Sequence, residues 1–244
     1  MSLGDLGIST INGGAIGVKN AIINGNFAVN QRAVSGTVTL AAGAYGHDRF
    51  KAGASGCTYT FATANNITTL TISAGSLIQV IEGNNLFTGT YTLSWVGTAQ
   101  GKIGGGSYAG SGVTGSVTGG TDLNIEFNTG TLSLVQFEQG SVATPFERRP
   151  YGTELALCQR YYEAGYSVFY QGVTNSYQYA APVFFKVTKR VSATVVGVNA
   201  VNTGFPTTVT VYDASASGFM NYRIANATRA DGAFAINWTA SAEL

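Results

Sequence analysis

The sequence predicts an all-β protein built from two β-sandwich, jelly-roll-like domains joined by a short helix and preceded by an extended N-terminal arm. Three observations predict it. The dominant spacing of apolar residues is two, the mark of half-buried antiparallel strands. Runs with that spacing are separated by Gly, Asn and Ser, residues that accept turn conformations. Among 244 residues, Glu154–Glu163 is the one convincing helical stretch.

Residues 1–22 are small, glycine-rich and without clean periodicity, so they cannot bury a core alone and read as an arm docked on something larger. From Ile23 to about Glu147 alternation dominates. Cys57, Tyr59 and Phe61 alternate with small polar residues, as do Tyr91, Leu93 and Trp95, then Leu123, Ile125 and Phe127. Gly83-Asn84-Asn85 and Asn128-Thr129-Gly130 are the natural turn points. Between Gly97 and Gly120, ten of 24 residues are glycine, which predicts a flexible loop between strands. Gly97-Thr-Ala-Gln-Gly101-Lys102-Ile103 is one residue too short for a P-loop and ends in Ile where Ser or Thr is needed. No helix pattern follows to complete an anion site, so nucleotide binding is excluded.

Arg148-Arg-Pro-Tyr-Gly152 reads as a linker. The helix behind it takes Thr153 as its N-cap and places Leu155, Cys158 and Tyr162 on one face. Residues 150–244 then return to strands: Val183–Val187, Val195–Val198, Thr207–Tyr212, and a run holding Phe234, Ile236 and Trp238. A second, smaller sandwich follows from them.

Composition narrows the chemistry. Charged residues are 10% of the chain and the net charge is +1, so there is no electrostatic footprint for nucleic acid or an anionic membrane. No run approaches eighteen apolar residues, and the first residues lack the basic start of a signal peptide, so membrane insertion and secretion are not expected. The three glycosylation sequons, at Asn66, Asn226 and Asn237, then read as chance in a chain rich in Thr and Asn. Cys57 and Cys158 are expected to be free and buried, since two distant cysteines make neither a disulfide scaffold nor a zinc site. No cofactor is expected, and no Asp-rich calcium loop of EF-hand type appears, which leaves a bound metal open.

His47 is the single histidine, so any Ser-His-Asp or Cys-His arrangement would have to be built on it. In Gly46-His47-Asp48-Arg49-Phe50, with no nucleophile elbow anywhere, it reads as structural. Glu126 and Glu138, on strands predicted to be adjacent, are the carboxylate pair a glycosidase would need. Enzymatic activity is not expected.

The tyrosines are more informative. Nine of thirteen lie after residue 150, and seven fall between Tyr151 and Tyr179. Tyr161 and Tyr162 read as packing residues. Tyr166, Tyr170, Tyr177 and Tyr179 flank the polar loop Gln171-Gly-Val-Thr-Asn-Ser176, where rigid aromatic faces beside amides and hydroxyls suit recognition, sugar stacking included. Tyr170, Asn175, Tyr177 and Tyr179 are the candidate ligand contacts.

The stretch Leu132-Ser-Leu-Val-Gln-Phe-Glu-Gln-Gly-Ser-Val-Ala-Thr-Pro-Phe-Glu147, continuing Arg148-Arg-Pro-Tyr-Gly-Thr-Glu-Leu-Ala-Leu-Cys-Gln-Arg-Tyr-Tyr-Glu163, resembles a junction of bacteriophage tail-fibre and related virion adhesins. Asn20-Ala-Ile-Ile-Asn-Gly-Asn-Phe27, Tyr45-Gly-His-Asp-Arg-Phe50 and Trp238-Thr-Ala-Ser-Ala-Glu-Leu244 resemble that family's opening, its Asp-Arg-aromatic element and its ending. Phe137 stands where an aliphatic residue is commoner in the family. The resemblance implies a carbohydrate-binding-module-like domain over residues 23–149 and a distal receptor-contacting domain over 150–244. It implies a homo-oligomer, commonly a trimer, with residues 1–22 attaching to other virion tail proteins. The function expected is adsorption to a host surface polysaccharide without cleaving it. The alternative is a purely structural virion component: head fibre, baseplate or decoration protein. Either is made in the host cytoplasm and resides on the virion.

Overall fold

The computed structural model describes residues 19–244. They form fourteen strands in three antiparallel sheets, one large and two small, with a single α-helix among the described residues. The first sheet system holds β1 (Val38–Leu40), β2 (Lys51–Ala64), β3 (Ile67–Ile81), β4 (Gly89–Val96), β5 (Gly101–Ile103), β6 (Val113–Val117), β7 (Leu123–Phe127) and β8 (Gly130–Gln139). The long β3 is the spine. One edge of it pairs with β2; its other edge pairs with β8 at Leu70–Ile72 and with β7 at Leu77–Ile81. Beyond Leu132, β8 leaves β3 and pairs with β4, which pairs with β6. That change of partner folds one continuous ladder into two facing layers, as strands do at sandwich corners.

The alternating residues fill the space between the layers. Tyr59, Leu93, Ile125, Phe127 and Phe137 are fully buried, and Tyr91 and Trp95 nearly so. Tyr91 stacks on Phe137 at 4.9 Å and Trp95 meets Phe127 edge-on at 5.2 Å. The glycine-rich stretch is more ordered than expected. β5 and β6 lie inside it, and Gly101 sits against the Trp95 and Phe127 rings, where a side chain would not fit.

Lys19–Ile22 pack with this sandwich: Ile22 is fully buried, and the Asn20 side chain bonds the Val135 oxygen and the Phe137 amide. The rest of the expected arm, residues 1–18, lies outside the described residues. Residues 148–152 do not hang free as a linker would. Arg149 donates to the Ile22 oxygen at 3.0 Å and to the Asn20 oxygen, while Glu147 accepts from the Asn20 amide at 2.7 Å.

The helix α1 (Tyr151–Gln159) begins earlier than Thr153 would place it, with Pro150 at its N-cap. Proline pre-sets the backbone for a helix start and loses no bond there. Glu154, in the first turn, accepts from Arg149 and from the Asn24 amide. The helix also ends earlier than expected, because Tyr162 is already in β9, paired with Ser241. Tyr162 therefore shares no helix face with Leu155 and Cys158.

The C-terminal domain is a smaller sandwich. One sheet orders β11 (Thr194–Thr203), β14 (Arg229–Ser241) and β9 (Tyr162–Val173); the other orders β10 (Gln178–Phe184), β13 (Gly218–Ile224) and β12 (Thr210–Tyr212). The strand expected at Val183–Val187 thus stops at Phe184, and the one at Thr207–Tyr212 shrinks to three residues. Two aromatic clusters fill the interior, Phe169, Tyr179, Phe205 and Phe234 in one and Phe185, Phe219 and Trp238 in the other. Asn221 and Arg223 point inward on β13, with Arg223 bonding Asn199 and the Pro206 oxygen.

A polar joint fastens the two sandwiches. The guanidinium of Arg49 lies 3.5 Å from the Tyr161 ring centre and that of Arg32 lies 3.8 Å from Tyr162, while both arginines pair with Glu243. Gln31 donates to the Tyr162 oxygen, and Lys51 and Tyr45 donate to the Leu244 oxygen. Arg160 adds a bridge to Glu82 at 3.1 Å.

Candidate functional site

Strand direction places the tyrosine-rich loop far from this joint. β9 leaves the joint at Tyr162 and ends at Val173, while β14 begins at Arg229 and returns to the joint. The far end is built from three connections: 174–177, 204–209 and 225–228. They are tied together by backbone bonds, Ser176 amide to Ala225 oxygen, Ala225 amide to Tyr177 oxygen and Asn226 amide to Gly204 oxygen. The Asn175 amide donates to the Thr228 hydroxyl at 3.0 Å, and the Thr174 amide donates to the Tyr179 hydroxyl at 2.8 Å. The loop is a braced platform.

The four candidate contacts divide by position. Asn175 and Tyr177 project from the platform, and Tyr177 is 66% exposed. Tyr170 is 71% exposed but lies on the outer face of β9, opposite Ala233. Tyr179 points the other way. Its ring packs between Phe169 and Phe205, so it braces the loop from beneath. Around Asn175 and Tyr177 stand exposed Thr174, Thr207, Thr208, Asn226 and Thr228, a surface of hydroxyls and amides. Among the described residues, Arg229 and Asp231 bring charge to its rim, paired with each other at 2.8 Å.

The other candidates are engaged elsewhere. His47 is 1% exposed, its Nδ1 sits 3.0 Å from the Tyr59 hydroxyl, and its ring meets Phe61 edge-on at 4.5 Å. Burial pushes its pKa down to about 4. Glu126 and Glu138 do not lie on paired strands: β7 pairs with β3 and β5, and β8 carries Glu138 to β4. Glu126 faces outward beside Lys102 at 2.8 Å and the Ser76 hydroxyl at 2.6 Å. Burial raises its pKa, but bonds from Lys102, Ser76 and Tyr108 outweigh that and hold it below the usual carboxylate range. Glu138 is 2% exposed, held by the amide and hydroxyl of Thr144 and by Gln136. Its pKa is lowered in the same way, burial opposing and the Thr144 bonds prevailing. Cys57 and Cys158 are free and buried; burial pushes the first thiol up to about 11 and the second well above its ordinary value.

The first sandwich has a cleft of about 490 Å³ lined by Ile103–Ser107, Val113–Thr118 and Thr121–Leu123. Asp122 is its one charged residue, with Oδ1 accepting from the Gly83 amide at 2.7 Å. The sequence reading took this stretch for a loop and missed the cleft. The signal was present in Val113, Thr114 and Val117, a short β-branched run between glycines. Among the described residues, no three of His, Cys, Asp and Glu gather as a metal would require, and no helix is long and apolar enough to cross a membrane.

Compared with protein-family models, curated proteins and solved structures, the chain shows no match.

Proposed function

We propose that this chain is a receptor-binding adhesin of a bacteriophage virion, of the tail-fibre type. It adsorbs to a host surface polysaccharide through the far end of its C-terminal sandwich and does not cleave it. Residues 1–22 attach to other virion tail proteins, and the working form is a homo-oligomer, a trimer. The observation that carries this reading is the braced, uncharged platform bearing Asn175 and Tyr177, at the opposite end of the domain from the joint. A neutral sugar offers hydroxyls and a flat apolar face, and that platform presents hydroxyls, amides and an exposed ring. The junction over residues 131–163 supports the same reading by resemblance. Hydrolysis would call for a free acid and base flanking one cleft, whereas Glu126 and Glu138 are each bound by neighbouring donors on different strands. A purely structural virion component is the second reading, favoured by the uncharged outer faces of the C-terminal sandwich.

The test is binding of labelled protein to susceptible cells by the wild type, Asn175→Ala and Tyr177→Ala. Each exposed substitution should leave the thermal transition unchanged and weaken binding about tenfold, the loss of one stacked ring or hydrogen bond. Unchanged binding by both variants would remove the platform from the function.

A further inference from the structure

The interior of the C-terminal sandwich changes character between its two aromatic clusters. There, on one sheet, Asn199, Ile236 and Ser167 lie opposite one another, and on the other sheet Val211, Asn221 and Ala181 do. The layer is small or polar where its neighbours are aromatic. Arg223 stands two residues along β13 from Asn221, on the same face and about 6–7 Å away at ordinary strand rise. Arg223 is 2% exposed and Asn221 0%. One guanidinium nitrogen, Nη1, is satisfied, donating to Asn199 Oδ1 at 2.7 Å and to the Pro206 oxygen at 2.8 Å. The Nε and Nη2 of Arg223 and both amide atoms of Asn221 have no hydrogen-bond partner among the described residues.

A buried polar atom without a partner is costly, and a buried charge more so. Arginine does not shed its proton to escape that cost. Three arginine or lysine side chains are buried among the described residues. Arg49 pairs with Glu243, and Lys189 with Glu163 at 2.6 Å. Arg32 and Arg149 also carry one nitrogen without a partner, yet both sit beside carboxylates. Arg223 pairs with no carboxylate of the described residues. The acids of its domain are engaged elsewhere, Glu163 by Lys189, Asp231 by Arg229 and Glu243 at the joint, or exposed, as Asp213 is. The Phe234 ring lies 5.2 Å from the guanidinium carbon, but a ring attracts a cation without neutralising it.

We propose that Arg223 and Asn221 hold a small monovalent anion, a halide such as chloride, inside the C-terminal sandwich. Nε and Nη2 form one edge of the planar guanidinium fork, which grips an anion side-on. The Nδ2 of Asn221 supplies a third donor. Three donors and one positive charge match a monovalent ion. A phosphate or sulfate group carries more charge and more acceptor oxygens than these donors serve, and Ala181, Val211 and Ile236 add none. The same guanidinium carries the connection 204–209 through the Pro206 oxygen, and that connection is part of the platform. The ion therefore braces the platform from beneath and balances the charge buried there. The site does not depend on what the platform binds.

The experiment is thermal unfolding of the full chain as sodium gluconate is exchanged for sodium chloride at constant ionic strength. In the wild type the transition should rise saturably, by roughly 3–6 °C when chloride stands at about ten times its dissociation constant. Arg223→Met should abolish the response. Asn221→Leu, which removes one donor and keeps the charge, should raise the half-saturating chloride about tenfold. Should Arg223→Met fail to fold, crystals of the wild type grown in sodium bromide give the answer without a variant, as an anomalous-scattering peak in contact with Nε and Nη2. A wild type indifferent to chloride, or a chloride response kept by folded Arg223→Met, would overturn the site. So would a water beside Arg223 with no anomalous signal, since water can serve Asn221 without neutralising the guanidinium.

Discussion

His47 shows how burial decides what a reactive residue type does. Its ring is enclosed by Phe27, Phe61 and Tyr59, and burial there opposes its protonation. The folded chain accepts that proton only near pH 4, whereas an unfolded chain accepts it near pH 6.5. The unfolded state therefore binds the extra proton between those values. The stability that depends on the neutral ring is complete above about pH 6.5 and drains away as pH falls toward 4, on the order of 3 kcal/mol by linkage. Denaturant unfolding at a series of pH values should show that slope in the wild type and a flatter one in His47→Gln. Equal slopes in the two proteins would mean the imidazole is hydrated. The sequence reads His47 as a hydrogen-bonded residue beside Asp48 and Arg49 with no nucleophile elbow in the chain, and in the fold it is buried with Nδ1 3.0 Å from the Tyr59 hydroxyl. The roles of its neighbours were not legible there, because Arg49 and Tyr161 meet only through folding, 112 positions apart in the chain.

At the scale of elements, period-two alternation located the strands well and placed their partners poorly. Phe234, Ile236 and Trp238 face inward as their spacing requires. Alternation carries no information on which strand lies alongside, so Glu126 and Glu138 were set on adjacent strands, whereas β7 pairs with β3 and β5 and the stretch of β8 that bears Glu138 pairs with β4. Glycine misled in a similar way. A run dense in glycine reads as loop, yet Gly101 and Gly115 lie in strands, the first pressed against the Trp95 and Phe127 rings and the second close to the Ile103 side chain. The bend in β2 and β3 depends on another such pair. Gly56 and Gly75 both have positive φ, 78° and 71°, and a Cβ on Gly75 would run into the Gly56 carbonyl oxygen. Gly75→Ala should cost about 2–3 kcal/mol from strain and backbone contact together, lowering Tm by roughly 5–10 °C. Gly43, with φ of 74° but open space around it, is the control. Gly43→Ala should cost only the strain, about 1 kcal/mol. Equal losses at the two positions would show that close approach contributes nothing.

On the scale of the whole molecule, the joint and the platform lie at opposite ends of the C-terminal sandwich. Arg49, Arg32 and Glu243 hold that sandwich to the first through largely buried charges and ring contacts, so loss of any one member would leave a buried charge short of its partner. The platform is left free for contact. The tyrosine concentration pointed to this end of the chain, but not to the division of labour within it. Facing direction separates Tyr177, which is exposed, from Tyr179, which is packed on Phe169 and Phe205, and composition cannot encode facing direction. The central claim is recognition of a surface polysaccharide without cleavage. Its most direct test is to titrate labelled protein onto bacterial cells and their extracted polysaccharide across a panel that includes the host, while following polymer length. Saturable binding with polymer of unchanged length is the result predicted. Shortened polymer, or no binding to any member of that panel, would contradict it.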